Sequence, residues 1–174
     1  MYKLESKNII YRQITEDDTD LILSWRNSDF VRQFHIYQSI ITKEQHLNYY
    51  HNKCETGDII QFIMINKSDN IPFGCVFLKN VKDENKKAEY GIFIGSEDYV
   101  GKNLGSEACK RITDFAFEEL KLHKVFLRVF ENNKRAIKSY INAGYEIEGT
   151  FKDDVIINDK YISVVFMGKI NQLG

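Results

Sequence analysis

The stretch Ile92-Phe93-Ile94-Gly95 … Val100-Gly101-Lys102-Asn103-Leu104-Gly105-Ser106-Glu107 holds the residues of this chain best suited to chemistry. A β-rich run ends, glycines follow, and an apolar stripe at helical spacing begins at Leu104. The N–H groups at a helix start lack internal acceptors and lie at the positive end of its dipole, so such a turn can bind an anion. Gly101 and Gly105 would let a phosphate approach main-chain nitrogens that a side chain shields, and Lys102 could add a charge-assisted contact. Two nucleotide motifs are excluded. G-x-G-x-x-G is absent, and Gly95…Gly101-Lys102 spaces its glycines one residue too far for a Walker A loop, with Asn103 where the magnesium-binding hydroxyl belongs. From spacing alone, a glycine-capped strand-to-helix turn without a ligand is the simpler account.

Other chemistries are thinly represented. Cys54, Cys75 and Cys109 are odd in number and widely spaced, which argues against a disulfide framework and against a zinc site. No metal is expected. Cys75 and Cys109 fall in apolar periodic segments and read as buried thiols. A net charge of −1 and a pI near 6.4 give no basic face for nucleic acid, and the Lys82, Lys86, Lys87 cluster, broken by Asp83 and Glu84, reads as a solvated hairpin tip. Met1-Tyr-Lys-Leu-Glu-Ser-Lys has no apolar signal core, and no apolar run approaches the roughly 18–20 residues of a membrane span. A cytoplasmic protein without membrane contact is expected.

The elements that must position the loop follow from period and caps. Strands are expected at 8–13, 59–65, 73–78, 88–94, 124–130, 145–157 and 161–169, the last two meeting at Asn158-Asp159. Helices are expected after Thr15 as N-cap, with Leu21, Ile22 and Trp25 on one face, and after the capping box Thr42-Lys-Glu-Gln45. Two more follow: one along the stripe Leu104, Ala108, Ile112, Phe115, Ala116 and Leu120, and one at 134–142. Asn27-Ser28-Asp29 breaks the first. The 174 residues fit one domain, and the order implies an α/β (α+β), three-layer arrangement: a mixed, mostly antiparallel sheet of about seven strands with about four helices.

Val100-Gly101-Lys102-Asn103-Leu104-Gly105 resembles motif A, [RQ]-x-x-G-x-[GA], of the GCN5-related N-acetyltransferases, with Val100 in place of Arg or Gln and Asn103 in place of the middle glycine. Asn132-Asn133-Lys-Arg-Ala136-Ile137-Lys-Ser-Tyr140-Ile-Asn-Ala-Gly144-Tyr145 resembles their motif B, N-x-x-A-I-x-x-Y-x-x-x-G-[FY]. The resemblance spans essentially the whole chain and implies a single N-acetyltransferase domain over residues 1–174. It implies that 100–106 hold the pyrophosphate of acetyl-CoA through main-chain N–H groups, that Ile92, Phe93 and Ile94 line the pantetheine and carbonyl, and that Asn133 contacts CoA or caps its helix. Tyr140 becomes the candidate general acid toward the CoA sulfur, since a phenol stays protonated at neutral pH; otherwise it is a packed aromatic. Glu89 is the candidate base. His46 has a suitable intrinsic pKa, although an exposed helix histidine is the commoner outcome.

For the acceptor, Leu23-Ser-Trp25-Arg26-Asn27 … Phe34 and Glu44-Gln45-His46-Leu47 are similar to a W-R-N … E-x-H-L pattern in amino-sugar acetyltransferases of pseudaminic-acid synthesis. This implies the 4-amino group of a UDP-linked dideoxy sugar, with Trp25, Arg26, Phe34 and His46 as acceptor contacts. Trp25 anchoring the first helix in the core is the alternative. The C-terminal segment also resembles ribosomal-protein and polyamine acetyltransferases, which keeps peptide N-termini and polyamines open, as does a non-catalytic acyl-CoA sensor. Homodimers are common in the family, though no residue pattern here requires one.

Overall fold

A computed structural model describes residues 2–172. Its strands are β1 (Lys3–Glu5), β2 (Ile9–Gln13), β3 (Ile59–Asn66), β4 (Pro72–Lys79), β5 (Lys87–Ile94), β6 (Lys124–Phe130), β7 (Glu146–Ile157) and β8 (Lys160–Ile170). They form one sheet in the order β1-β2-β3-β4-β5-β6-β8-β7. The helices are α1 (Thr19–Arg26), α2 (Asp29–Arg32), α3 (Lys43–Tyr49), α4 (Leu104–Glu118) and α5 (Lys134–Asn142). The expected α/β architecture is present with one more strand and one more helix. The three residues of β1 are too few to display a period. In α2, Ser28 ends one helix and its Oγ accepts from Val31 N–H at 3.3 Å to start the next. A π-turn, Tyr50–Cys54, continues α3.

Strand alternation sorts side chains into two layers. Ile60, Phe62 and Met64 join Val76, Leu78, Val125 and Leu127 against the buried stripe of α4, which comprises Leu104, Ala108, Ile112 and Phe115. On the opposite face Ile63, Cys75 and Phe93 pack with Ile22 of α1 and Val31 of α2. Six successive residues of β3, Ile59 to Met64, are therefore buried, as a central strand covered on both faces requires. Arg12 grips Asp18 with two nitrogens at 2.9 and 2.6 Å, and Thr15 N–H donates to the same carboxylate at 2.8 Å, fastening the approach to α1 onto β2.

Neighbouring strands are antiparallel except β5 and β6, and that parallel pair is short. Only Lys87, Ala88 and Glu89 pair, with Lys124, Val125 and Phe126. Beyond them β5 follows β4 while β6 follows β8, so the sheet opens between Tyr90–Ile94 and Leu127–Phe130. Close approach at Gly74 holds β5 on its side of the opening: a Cβ there would meet Phe93 O at 2.3 Å and Ile94 Cα at 3.0 Å. Both contacts are backbone and cannot swing aside. Gly74→Ala should destabilise the fold by about 2–3 kcal/mol, read as a lower denaturant midpoint at unchanged slope.

Candidate active site

The opening leads into one continuous cavity of about 1020 Å³. It runs from Arg26, Phe34 and His46, past Glu89 to Ile94, to the turn Val100–Ser106 and the facing side of α5. Of the expected CoA contacts, Ile92, Phe93, Ile94, Val100, Gly101, Asn103, Leu104, Gly105, Ser106, Asn133 and Tyr140 line this cavity. Lys102 does not; its ammonium lies 5.3 Å from the centre of the Tyr99 ring.

Local backbone explains the turn. Gly101 (φ +79°) and Asn103 (φ +63°) are left-handed, a conformation glycine and asparagine tolerate best. Such alternation aims successive N–H groups toward one concavity. Among the described residues, the N–H groups of Gly101 through Ser106 meet no acceptor. A Cβ on Gly101 would touch nothing, and one on Gly105 only Ser139 Oγ at 3.9 Å. The turn is braced from outside: Tyr99 Oη donates to Asp69 at 2.8 Å, while Glu107 accepts from Ser6 Oγ and Asn8 N–H at 2.6 and 2.7 Å. Asn133 caps α5 through Ala136 N–H at 3.2 Å, and Ser106 Oγ meets Ser139 Oγ at 2.7 Å, joining α4 to α5.

Tyr140 is half-buried in the cavity wall, edge-on to Tyr90 with ring centres 6.2 Å apart. Its hydroxyl has no hydrogen-bond partner among the described residues, and burial raises its pKa, so the phenol remains a donor throughout the neutral range. Glu89 faces the cavity, but Arg128 holds both its oxygens, at 2.8 and 3.3 Å. It is neither a free base nor a plain surface carboxylate.

His46 is buried at 5% exposure, a correction to the exposed helix histidine expected above: α3 lies against α1 and turns this residue inward. Thr19 Oγ1 donates to Glu16 O at 2.6 Å, which commits its hydroxyl proton. At 3.2 Å it can therefore only accept from His46 Nδ1–H. This network assigns the tautomer and leaves Nε2 as a lone-pair acceptor with no partner among the described residues. Burial lowers the imidazole pKa despite the opposing Asp18 charge, keeping the ring neutral.

Among the other expected acceptor contacts, Arg26 and Phe34 line the cavity, the latter 47% exposed. Trp25 does not. It packs edge-on to Phe93 and over Gly95, whose added Cβ would fall 2.2 Å from its Cγ. His35, a weaker base candidate in the loop after α2, also lines the cavity, as do Lys79 and Arg128, which were not singled out from sequence. Their signal was period-2 alternation: Lys79 and Glu89 are direct cross-strand partners, and Arg128 lies two residues beyond the pairing partner of Glu89.

Burial, then the charges of Arg26 and Lys79, push the His35 pKa down to about 3. Between its ordinary value near 6.5 and about 3, the unfolded chain binds a proton that the folded chain refuses. Stability therefore falls as pH is lowered through that window. The carboxylates Asp18 and Glu107, whose pKa values lie below their ordinary range, add acid sensitivity only at lower pH. The Tm of the protein should fall between pH 7 and 5, with a shallower fall in His35→Phe.

A family model for the acetyltransferase (GNAT) domain matches residues 8–146. A probable N-acetyltransferase of Bacillus subtilis is 28% identical over 163 residues, covering 89% of this chain and 90% of that protein. A spermidine N(1)-acetyltransferase of Escherichia coli is 34% identical over 94 residues, 54% of this chain and 50% of its own length. A crystal structure of the Vibrio cholerae spermidine N-acetyltransferase, in complex with CoA and spermine, superimposes with a TM-score of 0.87 at 21% identity, covering 95% and 96% of the two chains. Among the described residues, no helix is long and apolar enough to cross a membrane. With a split between parallel strands, a bare-nitrogen turn before α4 and a family match over most of its length, the chain belongs to the GNAT acetyltransferase family.

Proposed function

We propose that the protein carries an acetyl group from acetyl-CoA to the primary amine of a small acceptor. The observation that carries this reading is the opening between β5 and β6, continuous with a turn whose N–H groups have no acceptor. Acetyl-CoA supplies a thioester carbon open to attack and a diphosphate by which it can be held. The N–H groups of Gly101–Ser106 bind that diphosphate, and the main chain of Ile92–Ile94 orients the acyl carbonyl. Tyr140 Oη gives its proton to the departing sulfur, whose basicity rises in the same buried surroundings that raise the phenol's pKa. We assign the amine's proton to His46 Nε2 in preference to Glu89, whose oxygens are engaged by Arg128. His46→Asn should lower kcat/KM by about 100-fold or more with acetyl-CoA affinity kept, measured by steady-state kinetics.

For the acceptor, relatives named for spermidine support a polyamine in preference to the UDP-linked amino sugar expected from the N-terminal pattern. A structure of the Vibrio cholerae spermidine enzyme is dodecameric, which supports self-association of this chain beyond a dimer. Release of free thiol from acetyl-CoA, assayed with spermidine, N-terminal peptides and a UDP-4-amino-dideoxy sugar, tests the reading. Turnover with any amine supports a transferase. Tight CoA binding with no turnover on every amine supports an acyl-CoA sensor instead.

A further inference from the structure

We propose that the acceptor end of the cavity is an oxyanion subsite, so that the amine it receives belongs to a molecule that also carries a carboxylate or a phosphate. The inference rests on the transferase reading and departs from the polyamine acceptor that the spermidine relatives support, so spermidine is the opposing arm of its test.

Arg26, Lys79 and Arg128 all line this part of the cavity, and Glu89 is the one carboxylate among its walls. Arg128 takes both oxygens of Glu89, and Lys79 is its cross-strand partner on β4. One negative charge thus answers two positive ones, and Arg26 adds a third. Arg26 is 8% exposed; its Nη2 donates to Tyr37 O, while Nη1 has no acceptor among the described residues. A buried guanidinium nitrogen left without an acceptor is costly unless a ligand oxygen completes it, and its fork suits a carboxylate or phosphate.

Among the described residues, no other carboxylate lines the cavity to offset the charge. Arg32, whose charge bears on Arg26, is paired to the exposed Asp29, and Asp18 is held by Arg12. Burial first, then Arg128 and Arg26, depress the Lys79 ammonium against the pull of Glu89, and burial with Arg32 depresses Arg26. A polycation entering here would add positive charge to this set, whereas an anion would relieve it.

The test is thiol release from acetyl-CoA with matched acceptors: 4-aminobutyrate against butylamine for a carboxylate, and a UDP-linked 4-amino-dideoxy sugar against the free amino sugar for a phosphate, with spermidine as polycation. The expected result is that an anion-bearing member exceeds its neutral partner at least tenfold in kcat/KM. Arg26→Gln should erase that ratio while the KM for acetyl-CoA holds, which also certifies the fold. Should Arg26→Gln fail to fold, Lys79→Gln must reduce the same ratio. Equal rates within each pair, or a preference for spermidine that both variants leave untouched, would overturn the subsite and leave the transferase standing. Silence from every amine would remove both.

Discussion

Replacing Gly105 by leucine is expected to raise the KM for acetyl-CoA by about 100-fold or more, with Tm held or slightly raised. The position is the second residue of α4, it lines the cavity, and an added Cβ finds open space, so the fold should admit the side chain. What the leucine removes is access to the N–H groups of the turn. Hydrogen bonds to a charged group contribute about 1.5–3 kcal/mol each. Loss of two is thus about 3–6 kcal/mol, and each 1.4 kcal/mol is a factor of ten. Helix propensity runs the other way, since glycine inside a helix is unfavourable. Weak binding in a protein that melts no lower than the parent separates a blocked site from a damaged fold. A KM within threefold of the parent would contradict the assignment.

Tyr140→Phe should lower kcat by about 100-fold or more and leave the dissociation constant of CoA nearly unchanged. The hydroxyl has no hydrogen-bond partner among the described residues, so its loss breaks no structural contact, and the ring's packing against Tyr90 and Tyr145 is kept. Poor leaving groups depend most on a proton donor, so an activated aryl thioester in place of acetyl-CoA should recover much of the rate. A kcat within threefold of the parent would reduce Tyr140 to a packed aromatic.

The turn was legible in sequence because glycine and asparagine at 101, 103 and 105 are local signals of left-handed backbone and close approach. The long elements were legible for a similar reason, since Leu104 to Leu120 repeats the helical period several times and Ile59 to Ile65 is a β-rich, nearly unbroken apolar run. His46 was not. Its burial depends on α3 lying against α1, a long-range packing event that no local pattern records. For Trp25 the resemblance pointed to the acceptor and the residue itself to a core anchor of the first helix; the anchor is what the fold shows, with the ring over the bare backbone of Gly95 and outside the cavity. The charged cluster needed the register Lys79↔Glu89 and the parallel pairing of β5 with β6, because Lys79, Glu89 and Arg128, from three strands, become neighbours only once the sheet is assembled.

A calorimetric titration of CoA and of pantetheine into the protein tests the central claim most directly, because the two ligands share the thiol arm and only CoA carries the diphosphate. If the bare nitrogens ahead of α4 grip that diphosphate, CoA should bind about 100-fold tighter than pantetheine, and Gly105→Leu should abolish the difference. Equal dissociation constants for the two ligands in the parent protein would contradict the account.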